Sequence, residues 1–285
     1  MKRNVLFSIV FLIGLAIFAY PIMSNVFATK EHHTIVSEHD EKILQMSETE
    51  ISDMKEKAAA FNEKVVNTTV PIEDPFADDA KETTITGYFN VLNIGESMGS
   101  IEIPKIDVKL PIYHGTGEKV LQRGVGHLSN TSLPIGGKGT HAVITGHRGL
   151  PSAKMFRNLD KLEVGDLFFI KSLDETLAYK VDKVSIVLPN EVELLNIEDG
   201  KDFATLITCE PYMINTHRML VRGERVAYVD EVEVVKQLNE ENNVGKKPAV
   251  NPIWLVSIGL LVVFIITYLI YRKRGKNGME SISEE

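Results

Sequence analysis

The sequence predicts a mainly β domain, a barrel or sandwich of short strands, set between two apolar ends. Three features point there. Runs rich in Ile, Val, Leu and Thr recur between turns from about residue 99 to about residue 235. Apolar segments occupy both ends of the 285-residue chain. The remainder, roughly 200 to 220 residues, suits one large domain with appendages, and 44% apolar with 25% charged residues is ordinary globular composition.

The ends set the topology. After Met1-Lys2-Arg3, an apolar run extends from Val5 to Tyr20 and on through Met23. Residues 1–28 read as either a signal peptide, with Val26-Phe27-Ala28 as a small-residue cleavage site, or an uncleaved anchor. Near the other end, Ile253 to Tyr271 gives 19 uncharged residues, enough for a transmembrane helix. Trp254, Tyr268 and Tyr271 sit at its edges, and Arg272-Lys273-Arg274 follows. Basic residues favour the cytoplasmic face, so 272–285 is expected to be a cytoplasmic tail and residues 29 to 251 to lie outside the cell.

Within that outer segment, Glu41 to Val66 reads as one amphipathic helix, with Leu44, Ile51, Met54, Ala58, Phe61 and Val65 on its apolar side. Thr69 to Ala80, with Pro71, Asp74, Pro75, Asp78 and Asp79, is a loop. Strands are expected at Ile101–Ile103, Val108–Leu110, Thr140–Thr145, Leu167–Ile170, Ala178–Val187, Ala204–Thr208, Met219–Val221 and Val226–Val235, with a helical turn at Met155–Leu159. The expected divisions are 29–84 for the helix and loop, 85–235 for the β domain, 236–252 for a polar linker and 253–271 for the span.

A net charge of −8 with no central basic block argues against a nucleic-acid partner. The single cysteine, Cys209, cannot form an internal disulfide. By type alone it would be a small buried hydrophobe. Its position says more: Thr205-Leu206-Ile207-Thr208-Cys209 ends a β run just before Pro211, a rigid mount with an open loop beyond. A nucleophilic thiolate needs a cationic neighbour to lower its pKa. His147 follows a second strand in Thr145-Gly146-His147-Arg148, and Arg218 lies nine residues beyond Cys209, spacing that suits a returning strand.

These blocks resemble the sortase family. Thr205 to Cys209, Asn215-Thr216-His217-Arg218, and His141 to Leu150 carry the likeness, together with Ile103-Pro104-Lys105-Ile106, Leu110 to Gly115 and Thr131 to Gly137. The resemblance covers roughly residues 85 to 230. It implies a closed eight-stranded β-barrel and a thiol transpeptidase with Cys209 as nucleophile, His147 as proton donor and acceptor, and Arg218 stabilising the oxyanion and substrate. Asp74-Pro75-Phe76 is similar to the lid of class C, pilus-assembling sortases of Gram-positive bacteria, and a C-terminal span is typical of that class. Pro75 pushes Asp74 toward extended geometry, where its carboxylate is expected to pair with Arg218 while the Phe76 ring covers Cys209. The implied partners are LPXTG-bearing pilin or surface proteins, an acceptor lysine of a pilin, and the membrane. Phe76 stands where many relatives carry tryptophan, and Glu210 where an uncharged residue is expected; a nearby acid would raise the thiol pKa or bind a substrate group.

No cofactor or metal is expected, since His32 and His33 stand apart from other ligand-type residues. His141, an even step from His147 and so on its face if the strand continues, is a rival for its role, as are His114, His127 and His217. The alternatives are a housekeeping sortase that anchors surface proteins to the cell wall and a non-catalytic surface adhesin or scaffold. A papain-like protease is disfavoured, because that pattern places the cysteine before the histidine.

Overall fold

The computed structural model describes residues 2–68, 70–77, 84–150 and 152–228. Met23–Asp230 form one compact unit, and residues up to Ile22 belong to another. The expected linker 236–252, span 253–271 and tail 272–285 lie outside the described residues.

Eight strands close into a barrel: β1 (Gly99–Ile103), β2 (Val108–His114), β3 (Val125–His127), β4 (Thr140–Thr145), β5 (Leu167–Ser172), β6 (Glu175–Val187), β7 (Asp202–Glu210) and β8 (His217–Val226). Neighbours run β1-β2-β3-β4-β7-β8-β6-β5. β2 with β3 and β4 with β7 are parallel, and the other pairs are antiparallel. Side chains on a strand alternate between faces. Ile144, Ala204, Leu206, Met219 and Val221 therefore enter the main core, while Val143, Ile207 and Leu220 form a smaller cluster with Leu128 and Leu195. Ile72 and Phe76 pack against that second cluster. The same alternation puts Cys209 on the face of Ile207, and Arg218 on the face of Leu220.

β3 was not expected. It is three residues long and contains Gly126, too little to register as a strand pattern. The glycine is required, because a Cβ there would lie 2.1 Å from the Gly115 carbonyl oxygen. The expected strand Val226–Val235 is corrected in part: Val226 ends β8, and residues 229–235 lie outside the described residues. The expected helical turn at Met155–Leu159 is a hydrogen-bonded turn over residues 155–158 that runs into a 3₁₀ turn at Leu159–Lys161.

The helix expected at Glu41–Val66 is two. α1 runs Lys2–Gln45 through Pro21, and α2 runs Glu48–Val66. Ser47 separates them as an N-cap. Its hydroxyl accepts from the Glu50 amide at 3.3 Å, and its amide donates to the Glu50 carboxylate at 2.8 Å. This reciprocal box satisfies two amides that a starting helix leaves without partners. Leu44 is accordingly not on the packed face: it is 84% exposed, and Ile43 is buried instead. α2 buries Ala58, Phe61 and Val65 in the main core. Asn62 pairs with the Leu133 backbone, accepting from its amide at 2.7 Å and donating to its carbonyl at 3.3 Å. The part of α1 from Val5 onward is long and apolar enough to cross a membrane by length and composition.

Candidate active site

Cys209 is the penultimate residue of β7, and its rung partner on β8 is Arg218. Both are buried. One antiparallel rung with both side chains on one face brings residues nine apart in sequence into adjacency.

His147 reaches the same place from β4. The β4–β7 ladder ends at Thr145 opposite Ile207. Past that rung the Gly146 amide donates to the Ile207 carbonyl at 3.0 Å, and the Thr208 hydroxyl donates to the Gly146 carbonyl at 2.7 Å. A Cβ on residue 146 would stand 2.8 Å from Phe156 and 2.9 Å from Val125, so only glycine lets the chain pass. The Phe156 amide then donates to the His147 carbonyl at 3.0 Å. His147 is fixed on both sides as it leaves the barrel, and its ring shares a cavity of about 670 Å³ with Cys209, Arg218 and Glu118.

Asp74-Pro75-Phe76 closes over that cavity. Asp74 accepts two hydrogen bonds from Arg218, Nε at 2.7 Å and Nη2 at 2.6 Å. The remaining terminal nitrogen, Nη1, donates to the carbonyls of Asn215 at 3.0 Å and His217 at 2.9 Å. The Phe76 ring lies 5.1 Å from the guanidinium carbon and 5.8 Å from the His147 ring. Asn130 anchors the loop by donating to the Pro71 carbonyl at 3.2 Å.

The thiol was expected to be lowered by a cationic neighbour. In this closed arrangement it is raised: burial pushes it up, Arg218 pulls it down, and Asp74 pushes it up again. Burial alone would also lower Arg218, but the Asp74 hydrogen bonds outweigh that and hold the guanidinium above its usual value. The cation that should activate the thiol is occupied by the lid.

Glu210 is not among the causes of the thiol's shift. It is ion-paired with Arg148, the residue after His147. The rival histidines are committed elsewhere. His141 lies on the Val143 face, as alternation requires, with Nε2 2.7 Å from the Thr205 hydroxyl and Nδ1 2.9 Å from the Asn196 carbonyl, and it does not reach the cavity. His127 is fully buried, 3.0 Å from the Tyr88 hydroxyl and 2.8 Å from the Ser132 carbonyl, and burial depresses it to about 4. His114 contacts the Val91 carbonyl at 2.7 Å, and His217 the Thr216 hydroxyl at 2.9 Å. Among the described residues no group of three or more His, Cys, Asp or Glu is placed to hold a metal.

Sequence reading missed Glu118, whose carboxylate is 3.4 Å from His147 Nε2. Nothing distinguishes it in sequence from any other surface acid.

Residues 101–226 match the family model of the sortase domain. Among curated proteins, Sortase D of Bacillus subtilis is 32% identical over 135 residues, 46% of this chain and 65% of that protein. Sortase A of Bacillus anthracis is 31% identical over 129 residues, 45% of this chain and 60% of that protein. The chain thus spans between two fifths and two thirds of the length of the first such relatives. Solved structures are matched along nearly their full length. Sortase C-1 from Streptococcus pneumoniae is 48% identical with a TM-score of 0.65, covering 69% of this chain and all of that one. Sortase C1 of GBS Pilus Island 1 is 43% identical with a TM-score of 0.65, covering 70% and 94%. With the closed barrel and a cysteine facing histidine and arginine across one cavity, these matches establish that the chain belongs to the sortase family of cysteine transpeptidases.

Proposed function

We propose that this enzyme polymerises pilins: it cleaves an LPXTG-like sorting signal between Thr and Gly and joins the threonine to a lysine amine of another pilin subunit. The observation that carries the reading is the lid, with Asp74 on Arg218 and Phe76 between Arg218 and His147. The likeness to a pilus-related sortase C of Group B Streptococcus, 44% identical, supports it.

The reaction begins when the lid withdraws. Asp74 then releases Arg218 Nε and Nη2. Cys209 gives its proton to His147 and its sulfur attacks the threonine carbonyl carbon, while the freed guanidinium donates to the developing oxyanion. His147 gives a proton to the leaving glycine amine as the C–N bond breaks, leaving a thioester on Cys209. The lysine amine attacks that thioester, an isopeptide bond forms, and the thiol is restored. The apolar N-terminal helix supports anchoring at a membrane, with the barrel on its outer side.

The test is mass spectrometry of the purified enzyme with an LPXTG-bearing pilin. The expected product is an isopeptide-linked pilin pair, absent with Cys209→Ala. Product transferred only to a cell-wall amine would instead indicate a housekeeping sortase. Continued pilin joining by Cys209→Ala would overturn the nucleophile assignment.

A further inference from the structure

Four observations converge where β4 and β7 stop pairing. The backbone ladder ends at Thr145 opposite Ile207. Beyond it the Thr208 hydroxyl bonds the Gly146 carbonyl. His147 and Cys209 come next on the two chains, and Arg148 and Glu210 follow them as an ion pair. Arg148 is 7% exposed, and Glu210 is mostly covered, 18% exposed at its side chain. Arg148 is held further by Asp160 at 3.3 Å, and its Nε donates to the Arg157 carbonyl at 3.4 Å. Parallel strands carry no tight turn to hold their ends together. Here side chains continue the pairing past the last backbone rung, and the two candidate catalytic groups lie between those contacts.

We infer that Arg148 and Glu210 are a positioning pair, whose ion contact holds His147 and Cys209 at a fixed separation across the open ends of β4 and β7. The inference rests on the proposed roles of His147 and Cys209. It assigns Glu210 to the geometry of the reaction rather than to substrate. The pair also keeps the Glu210 carboxylate directed at Arg148, although it is attached one residue from the thiol. The charged and titratable groups that otherwise share the thiol's cavity are Arg218 from β8, Asp74 and Glu73 from the lid loop, Glu118 from α3 (Glu118–Leu121) and His147.

The experiment uses the full chain in detergent and an LPXTG peptide, reading thioester formation by mass spectrometry. Glu210→Gln keeps the shape and removes the charge. Glu210→Asp keeps the charge and shortens the arm by one methylene. Each is expected to lower kcat about tenfold or more with KM within about twofold, the pattern of a displaced catalytic group rather than weakened binding. Arg148→Met frees Glu210 beside the thiol. In an Asp74→Ala/Phe76→Ala background it should move the pH midpoint of Cys209 alkylation upward, while Glu210→Gln should not, and Glu210→Gln/Arg148→Met should reverse the upward move. A merely structural pair would move both single variants the same way. If Arg148→Met does not fold, the two Glu210 variants still decide the question. Wild-type kcat in both Glu210 variants, with Cys209→Ala inactive, would overturn the positioning pair alone. Activity in Cys209→Ala would overturn the catalytic reading beneath it.

Discussion

Cys209 is poised but silenced. Its thiol is buried and raised, so at neutral pH it is held as the unreactive acid. Alkylation of the native enzyme should rise with pH later than for an ordinary exposed cysteine, measured as iodoacetamide labelling rate between about pH 6 and 10. An ordinary thiol profile would contradict the closed geometry. His127 gives a second prediction of the opposite kind. Its folded value is depressed to about 4 from 6.5, so the folded protein refuses a proton that the unfolded chain accepts. Stability should be full above pH 6.5 and fall as pH drops toward 4, by about 3 kcal/mol. Urea denaturation across that range measures it. His127→Phe should flatten the dependence, though loss of the Tyr88 and Ser132 contacts will also lower stability at pH 7.

Two elements make the site rather than line it. The exit of β4 depends on Gly146, where a Cβ would press on Phe156 and Val125. Gly146→Ala should displace His147 and reduce transpeptidation by about 100-fold, with a smaller loss of stability, read by peptide turnover and thermal melting. α2 presents the other case. Its start is set by the Ser47 and Glu50 box, and Ser47→Ala should cost about 1 kcal/mol in chemical denaturation without changing the alkylation rate of Cys209. The box is written plainly as Ser47-Glu48-Thr49-Glu50. The apolar pattern over Glu41–Val66 masks it, because Ile43 ends one helix and Ile51 begins the apolar side of the next.

At the scale of the whole molecule, the loop that follows α2 returns 144 residues back in sequence from Arg218 to close the site. Opening it breaks a two-bond charged contact and uncovers Phe76. Hydrogen bonds to charged groups contribute about 1.5–3 kcal/mol each, so losing both in Asp74→Ala/Phe76→Ala should raise Cys209 labelling by about 100-fold or more. Labelling unchanged in that variant would remove the lid from the account.

The sequence by itself located every strand but β3, marked the apolar ends, and singled out Cys209, His147 and Arg218 as the candidate groups. A strand end, a Thr-Gly-His step and a nine-residue return are local facts, and local patterns survive in one dimension. The tertiary structure decided what those groups do to one another. Sequence led to a thiol activated by its cation and to an Asp74 able to pair with Arg218; the fold shows that pairing made and the thiol raised by it and by burial. Sequence left Glu210 as an unexplained acid; the fold placed it on Arg148 across two strands 62 residues apart. Glu118 and the three-residue β3 were invisible for the same reason. Their meaning comes from contacts between distant segments, and charge, burial and hydrogen-bond occupancy exist only once the chain has closed on itself.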